Sequence, residues 1–341
     1  MSRLTIKTPR SLKLASHIYD LNLGKILLDK YDEFLLDMSE TSYGEPFAML
    51  LLANQFKEMV DKSNNTVFLL KYPKNNFGGY AQHIGLFNYM GFALGNTPDS
   101  ATGSKNYTPI RSFSISKILA DRGDEPVGKY LTSYSSELSQ VLCQASEGAA
   151  FDLFEYCLRE IMRNSAEHSE GSSLVVMGQH WPSQHTAEIV VCDNGIGIAN
   201  TLYDNEYIDC STNREALKFA LLPGVSGVSR EERFEQDEFW GNSGFGLYVT
   251  SRFCSEHGSF RMISGDSGLT LARGYQTEHP AWGFGGTCVQ MRFSTRQAEN
   301  QTGRIAEIIE EGKSDFKGIL SDYPIKPSAA SKMLASHFDK R

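Results

Sequence analysis

Three short stretches of this 341-residue chain combine side chains and glycines in patterns that could do chemistry, and a fourth accompanies them. The first is Glu160-Ile-Met-Arg-Asn164-Ser-Ala-Glu167-His168. On a helix these positions fall at i, i+4, i+7 and i+8, so a carboxylate, an amide oxygen, a second carboxylate and an imidazole share one face. Asn164 is a poor helix former set mid-helix beside apolar residues, where it adds nothing to local stability, which points to a task in a site. The second stretch is an apolar strand pattern from Ala187 that ends in Asp193-Asn-Gly195-Ile-Gly197. It puts a carboxylate at a sheet rim and lets a ligand approach the backbone with no Cβ in the way. The third, Gly241-Asn-Ser243-Gly244-Phe245-Gly246-Leu247, is a glycine-rich loop passing into an amphipathic helix that runs to Cys254. N–H groups at such a helix start suit phosphate, through unpaired donors and the helix partial charge. Its context is not that of a Rossmann dinucleotide turn. The fourth, Gly285-Gly286-Thr287-Cys-Val-Gln-Met-Arg-Phe, reads as a strand entered through Gly-Thr.

In order and spacing these stretches resemble the nucleotide-binding boxes of the GHKL ATP-binding superfamily, which includes gyrase, heat-shock chaperone, mismatch-repair and histidine-kinase ATPase domains. The resemblance spans roughly residues 125–295 and implies a two-layer α/β sandwich of the Bergerat type with ATP and Mg2+ as ligands. It implies Asn164 as the magnesium ligand, its amide oxygen completing a shell of triphosphate and water oxygens. Glu160 is similar to the carboxylate that orients and deprotonates the attacking water. Asp193 corresponds to an acceptor for the adenine amino group that rejects guanine, whose matching position is a carbonyl. Gly195 and Gly197 would admit adenine and ribose. Gly241, Gly244 and Gly246 would wrap the β and γ phosphates, with Ser243, Phe245 and Leu247 in the same loop, and Thr287 would reach the adenine edge directly or through water. Glu167 sits where several members carry an acid, and His168 where the anti-sigma serine kinases carry a histidine. Residues 199–240, with Pro223-Gly-Val-Ser-Gly-Val-Ser and Arg230, occupy the place of an ATP lid. The plainer alternative there is a surface loop with a short helix, Asn213 to Leu222.

Periodicity supplies the elements around these stretches. Tyr130 to Gln144 and Ala149 to His168 read as helices. Upstream, a strand at Glu33 to Met38, a turn over Ser39 to Glu45, a helix from Pro46 to Asp61, a strand at Thr66 to Tyr72 and a helix from Gly79 to Met90 predict a parallel crossover sheet. Over residues 30–95 this order resembles the STAS-like fold of anti-sigma-factor antagonists, although Ser39, Thr41 and Ser42 give no clear match to that family's phosphorylated position. A plain accessory α/β domain is the alternative. Residues 96–111 are dense in turn formers. The expected organisation is therefore an accessory α/β domain over 1–100, a linker over 101–120, a nucleotide-binding domain over 121–295 and a polar tail over 296–341, helical around Ile305 to Ile309.

Thirty-three basic against 41 acidic residues give a net charge of -8 with no basic cluster, which argues against general binding of nucleic acid or anionic lipid. The start lacks an apolar leader and the most apolar short run, Phe47 to Ala53, is too short to cross a bilayer, so a soluble, cytoplasmic protein is expected. The 6 cysteines form no C-x-x-C pair, so zinc is not expected and the thiols should serve as small buried hydrophobes. No histidine sits in a His-acid motif on a two-helix hairpin, which disfavours autophosphorylation on histidine. The function expected is a slow Mg-dependent ATPase that switches a protein surface toward a partner or a second copy. A serine/threonine kinase of the anti-sigma type and a non-hydrolysing ATP-binding scaffold are the alternatives.

Overall fold

The computed structural model describes residues 2–98, 100–203, 210–227, 244–299, 301 and 303–319. The fold is mixed α/β, with parallel and antiparallel sheets. In the N-terminal unit β1 (Arg3–Lys7), β3 (Glu33–Asp37) and β5 (Val67–Lys71) form a parallel sheet in the order β1-β3-β5. The two-residue strands β2 (Ser11–Leu12) and β4 (Tyr43–Gly44) pair beside it. Helix α1 (Ala15–Tyr19) precedes β3, and α2 (Pro46–Asp61) crosses from β4 to β5. Proline at the first position of α2 costs no hydrogen bond and presets φ. Every residue of α2 from Pro46 to Ala53 is buried, so this helix is the centre of a core rather than a surface helix. Phe34 and Leu36 of β3 pack in the same core.

The helix expected over Gly79 to Met90 is two, α3 (Asn76–His83) and α4 (Leu86–Tyr89), because Gly85 adopts φ +83° and stops the first one. Asn75 caps α3 by accepting from the Gly78 N–H. Of the turn hydroxyls, Thr41 is buried against Thr8 and Pro9, and Ser39 donates to Asp37 at 2.6 Å.

The stretch 101–120, expected as a linker, instead holds β6 (Tyr107–Ser114) and most of α5 (Ile115–Asp121). Turn formers dominate the sequence there, yet β6 is an edge strand, where Pro109 is tolerated at a break in register between Thr108 and Arg111. With β7 (Ser173–Trp181), β8 (Thr186–Asp193), β9 (Gly258–Ala272) and β10 (Tyr275–Ser294) it forms an antiparallel sheet in the order β6-β7-β8-β10-β9.

Alternation along these strands gives the sheet two apolar faces. One carries Leu174, Val176, Ile189, Val191, Val289 and Met291 and shares a core with α6 (Val127–Cys143), α7 (Ala149–His168) and α10 (Gly246–His257). The short helices α8 (Ile198–Leu202) and α9 (Asn213–Ala220) lie between β8 and α10 in the chain. After β10 come α11 (Thr295–Ala298) and α12 (Arg304–Ile319), the latter against α10.

The opposite face carries Val175, Met177, Val190, Cys192, Ile263 and Cys288, and it shares a core with α2 and the rest of the N-terminal unit. The Cys192 and Cys288 thiols meet there at 2.8 Å. Burying Val175, Met177, Val190 and Ile263 alone is worth roughly 6–12 kcal/mol at about 1.5–3 per side chain. The N-terminal unit and this face of the sheet therefore share one apolar core.

Candidate functional site

A cleft of about 800 Å3, counted out into open solvent, lies on the helical face of the antiparallel sheet. Helix α7 contributes Glu160, Ile161, Asn164, Ser165 and His168, and Ser169 follows from its C-cap. Asp193 ends β8, Gly197, Ile198, Thr201 and Leu202 follow it, and Met262, Thr287 and Val289 come from β9 and β10. Gly244, Gly246 and Leu247 enter from the start of α10, with Val225, Ser226 and Gly227 beside them. Aliphatic side chains, carboxylates and glycine backbone thus share one lining.

Asp193 is 6% exposed and its two oxygens are held by three donors. Gly195 N and Thr287 N donate to Oδ1 at 3.0 and 3.1 Å, and Ser165 Oγ donates to Oδ2 at 3.1 Å. Burial pushes its carboxyl up to about 6, with the Gly195, Ser165 and Thr287 hydrogen bonds opposing the rise. Gly286, at φ +88°, makes this approach feasible, since a Cβ there would come within 2.8 Å of Oδ1. The Ser264 hydroxyl closes the rim, donating to Gly286 O and accepting from Ile198 N, each at 2.9 Å.

Glu160 is 9% exposed, 3.9 Å from Arg159 and 3.9 Å from Arg163 on its own helix. The first residue of α10 lies directly against it, and a Cβ at Gly246 would overlap the carboxylate. Gly244, at φ +71°, accepts from Gly224 N at 3.0 Å. This joins the glycine loop to the segment around Pro223, and any side chain at 244 would collide with it. Gly244, Gly246 and Leu247 thus bring the start of α10, where the helix partial charge is positive, to the cavity beside Glu160.

Nine of the residues singled out in the sequence meet in this cavity: Glu160, Asn164, His168, Asp193, Gly197, Gly244, Gly246, Leu247 and Thr287. Three stand outside its lining. Glu167 pairs with Arg163 at 2.8 Å. Gly195 lies under Ser169, whose carbonyl leaves no room for a Cβ. Phe245 is buried in the core against Tyr248. Gly241, Ser243 and Arg230 lie outside the described residues. Of the region 199–240, the described part holds α8, α9 and the buried run Pro223 to Ser226.

Sequence reasoning missed Ser165, although its hydroxyl holds Asp193, and it missed the apolar walls Ile198, Met262 and Val289. Ser165 follows Asn164 directly, which was the available signal. Among the described residues no group of three or more His, Cys, Asp or Glu side chains could hold a metal alone, and no helix is long and apolar enough to cross a membrane. Compared with known proteins, the chain matches no protein-family model and no curated protein.

Proposed function

We propose that this chain binds ATP in the cavity and hydrolyses it slowly with Mg2+, as a GHKL-type nucleotide switch that alters a protein-binding surface. The observation that carries the reading is the convergence of Asn164, Asp193, Gly244, Gly246 and Thr287, from four separate stretches of sequence, on one cavity. Its apolar walls suit a purine, and Asp193 is an ionisable acceptor at their rim, matched to an exocyclic amino group. The glycine loop and the first turn of α10 suit the phosphates. Asn164 offers one neutral oxygen, so a magnesium ion held there needs the triphosphate to supply further ligands, which fits the lack of a metal cluster among the described residues.

Glu160 lies against Gly246 at the start of α10, where a carboxylate can orient a water toward a terminal phosphate. The Pro223 segment, hydrogen-bonded to Gly244, would register the occupant of the phosphate end and pass it to the surface. Calorimetric titration of the full chain with ATP and GTP, with and without Mg2+, tests the binding. Phosphate release tests the hydrolysis. Equal affinity for ATP and GTP, or no binding of either, would overturn the reading.

A further inference from the structure

We propose that Phe284 is a positioning residue of the cavity, and that through it the N-terminal unit sets how firmly the Thr287 rim engages a ligand; the proposal rests on the nucleotide reading above. Between Pro280 and Thr287, β10 loses register with β9 twice, so that eight residues of β10 face the four from Ser264 to Ser267. The excess is accommodated by Gly283, Gly285 and Gly286, of which Gly283 and Gly286 have φ of +62° and +88°. A bulge so rich in glycine has little conformational preference of its own and takes its shape from what anchors it.

The anchors lie on opposite faces of the sheet. On the cavity side, Thr287 N donates to Asp193 Oδ1 at 3.1 Å and Gly286 O accepts from Ser264 Oγ at 2.9 Å. On the other side, Phe284 is 3% exposed and lies in the core of the N-terminal unit together with Ala281. Gly285 faces α2, and a Cβ there would come within 3.2 Å of Glu58 Oε1. Only two residues, Gly285 and Gly286, therefore separate a side chain fixed in one unit from an N–H that holds the carboxylate of the cavity. Removing the phenyl ring frees the bulge, and Thr287 N loses its fixed place against Oδ1. Asp193 then keeps its burial with one donor fewer, so it gains its proton at higher pH and meets a ligand amino group less well.

The test compares Phe284→Ala, Phe284→Leu and Phe34→Leu in the full chain, with ATP affinity measured by calorimetry from pH 5 to 8 and the Asp193 carboxyl titrated by NMR without nucleotide. Phe34 lies in the same core on β3 and serves to separate general loosening from the specific effect. Phe284→Ala should move the Asp193 midpoint upward and weaken ATP below that midpoint, by about tenfold for each pH unit that the midpoint moves. Phe284→Leu should show the same two changes at smaller size and covers the case in which the alanine variant does not fold. Phe34→Leu should leave the midpoint in place. Wild-type affinity and midpoint in both Phe284 variants, or an equal midpoint shift in Phe34→Leu, would overturn the proposal. A wild-type chain that binds no ATP would overturn the nucleotide reading, while the NMR titration still decides whether Phe284 governs Asp193.

Discussion

The backbone N–H of Phe47 donates to Glu188 Oε1 at 2.9 Å, across 141 residues of chain. Helix α2 has no side-chain cap of its own at Glu45, so a carboxylate from the middle of the antiparallel sheet supplies one. The other oxygen, Oε2, is 3.1 Å from Arg292 Nη1, which also donates to Glu45 Oε2 at 2.7 Å. Glu188 is 0% exposed, and burial raises its carboxyl above the ordinary range while Arg292 and the Phe47 N–H act against that. The accessory unit is thus secured to the sheet by a satisfied polar cluster as well as by apolar contact.

Glu188→Ala should therefore cost about 1–3 kcal/mol, the penalty for leaving the buried Phe47 N–H without its acceptor, while Arg292 keeps Glu45. Glu188→Gln keeps an acceptor for Phe47 and should cost less. Urea unfolding followed by both tryptophan fluorescence and circular dichroism measures this. A loss under about 1 kcal/mol for the alanine variant would show that the cluster does not secure the interface.

Asn164→Ala should abolish Mg-dependent ATP binding with little change in stability, because Asn164 is a half-buried cavity residue whose truncation removes an oxygen ligand rather than core volume. Calorimetry with and without Mg2+, beside a thermal melt, distinguishes the two effects. Unchanged affinity in a folded variant refutes the metal role.

The Asp193 carboxyl titrates at about 6 in the folded chain, against 3.8 ordinarily. A raised value means the folded state holds the extra proton between those limits. The contribution of Asp193 to the stability of the ligand-free chain is therefore full below about 3.8 and is lost as pH rises through about 6. ATP has the opposite requirement, since an adenine amino group needs the ionised acceptor. Affinity should be level above about pH 7 and fall about tenfold by pH 5. Asp193→Asn should weaken ATP by roughly 1.5–3 kcal/mol and remove this pH dependence. A wild-type affinity that stays constant from pH 5 to 8 would separate Asp193 from the ligand.

Glu160→Gln should keep ATP bound and lose about 10²–10⁴-fold in phosphate release. Single-turnover measurement separates this from slow product release. If release is unaffected, another group activates the water. If the wild type instead labels a serine or threonine of a partner and releases little phosphate alone, the kinase alternative takes its place.

What the sequence revealed about the site was whatever backbone geometry forces upon residue type. Gly197, Gly244 and Gly286 stand at positive φ, and Asp193 ends a strand, so these positions carry their own signatures. Phe245 and Glu167 sit in the same stretches but are governed by neighbours distant in sequence or across a helical turn: Phe245 by the core around Tyr248, Glu167 by Arg163. Strand β1 carries little signal in the sequence because the alternation of Leu4, Thr5, Ile6 and Lys7 is brief and its partner β3 lies about thirty residues away. The burial of the second sheet face was not legible either. Val190, Cys192 and Cys288 look the same in sequence whether a face is covered by another unit or by nothing.

The borrowed cap on α2 also sets a timetable. Synthesis proceeds from the N-terminus at about 5–20 residues per second, so the 141 residues between Phe47 and Glu188 take on the order of ten seconds to appear. Until then the first N–H groups of α2, and the flank of that helix that faces the antiparallel sheet, lack their partners. The nascent N-terminal segment must wait in water, shielded by a chaperone or loosely collapsed, for a surface that the ribosome has not yet made.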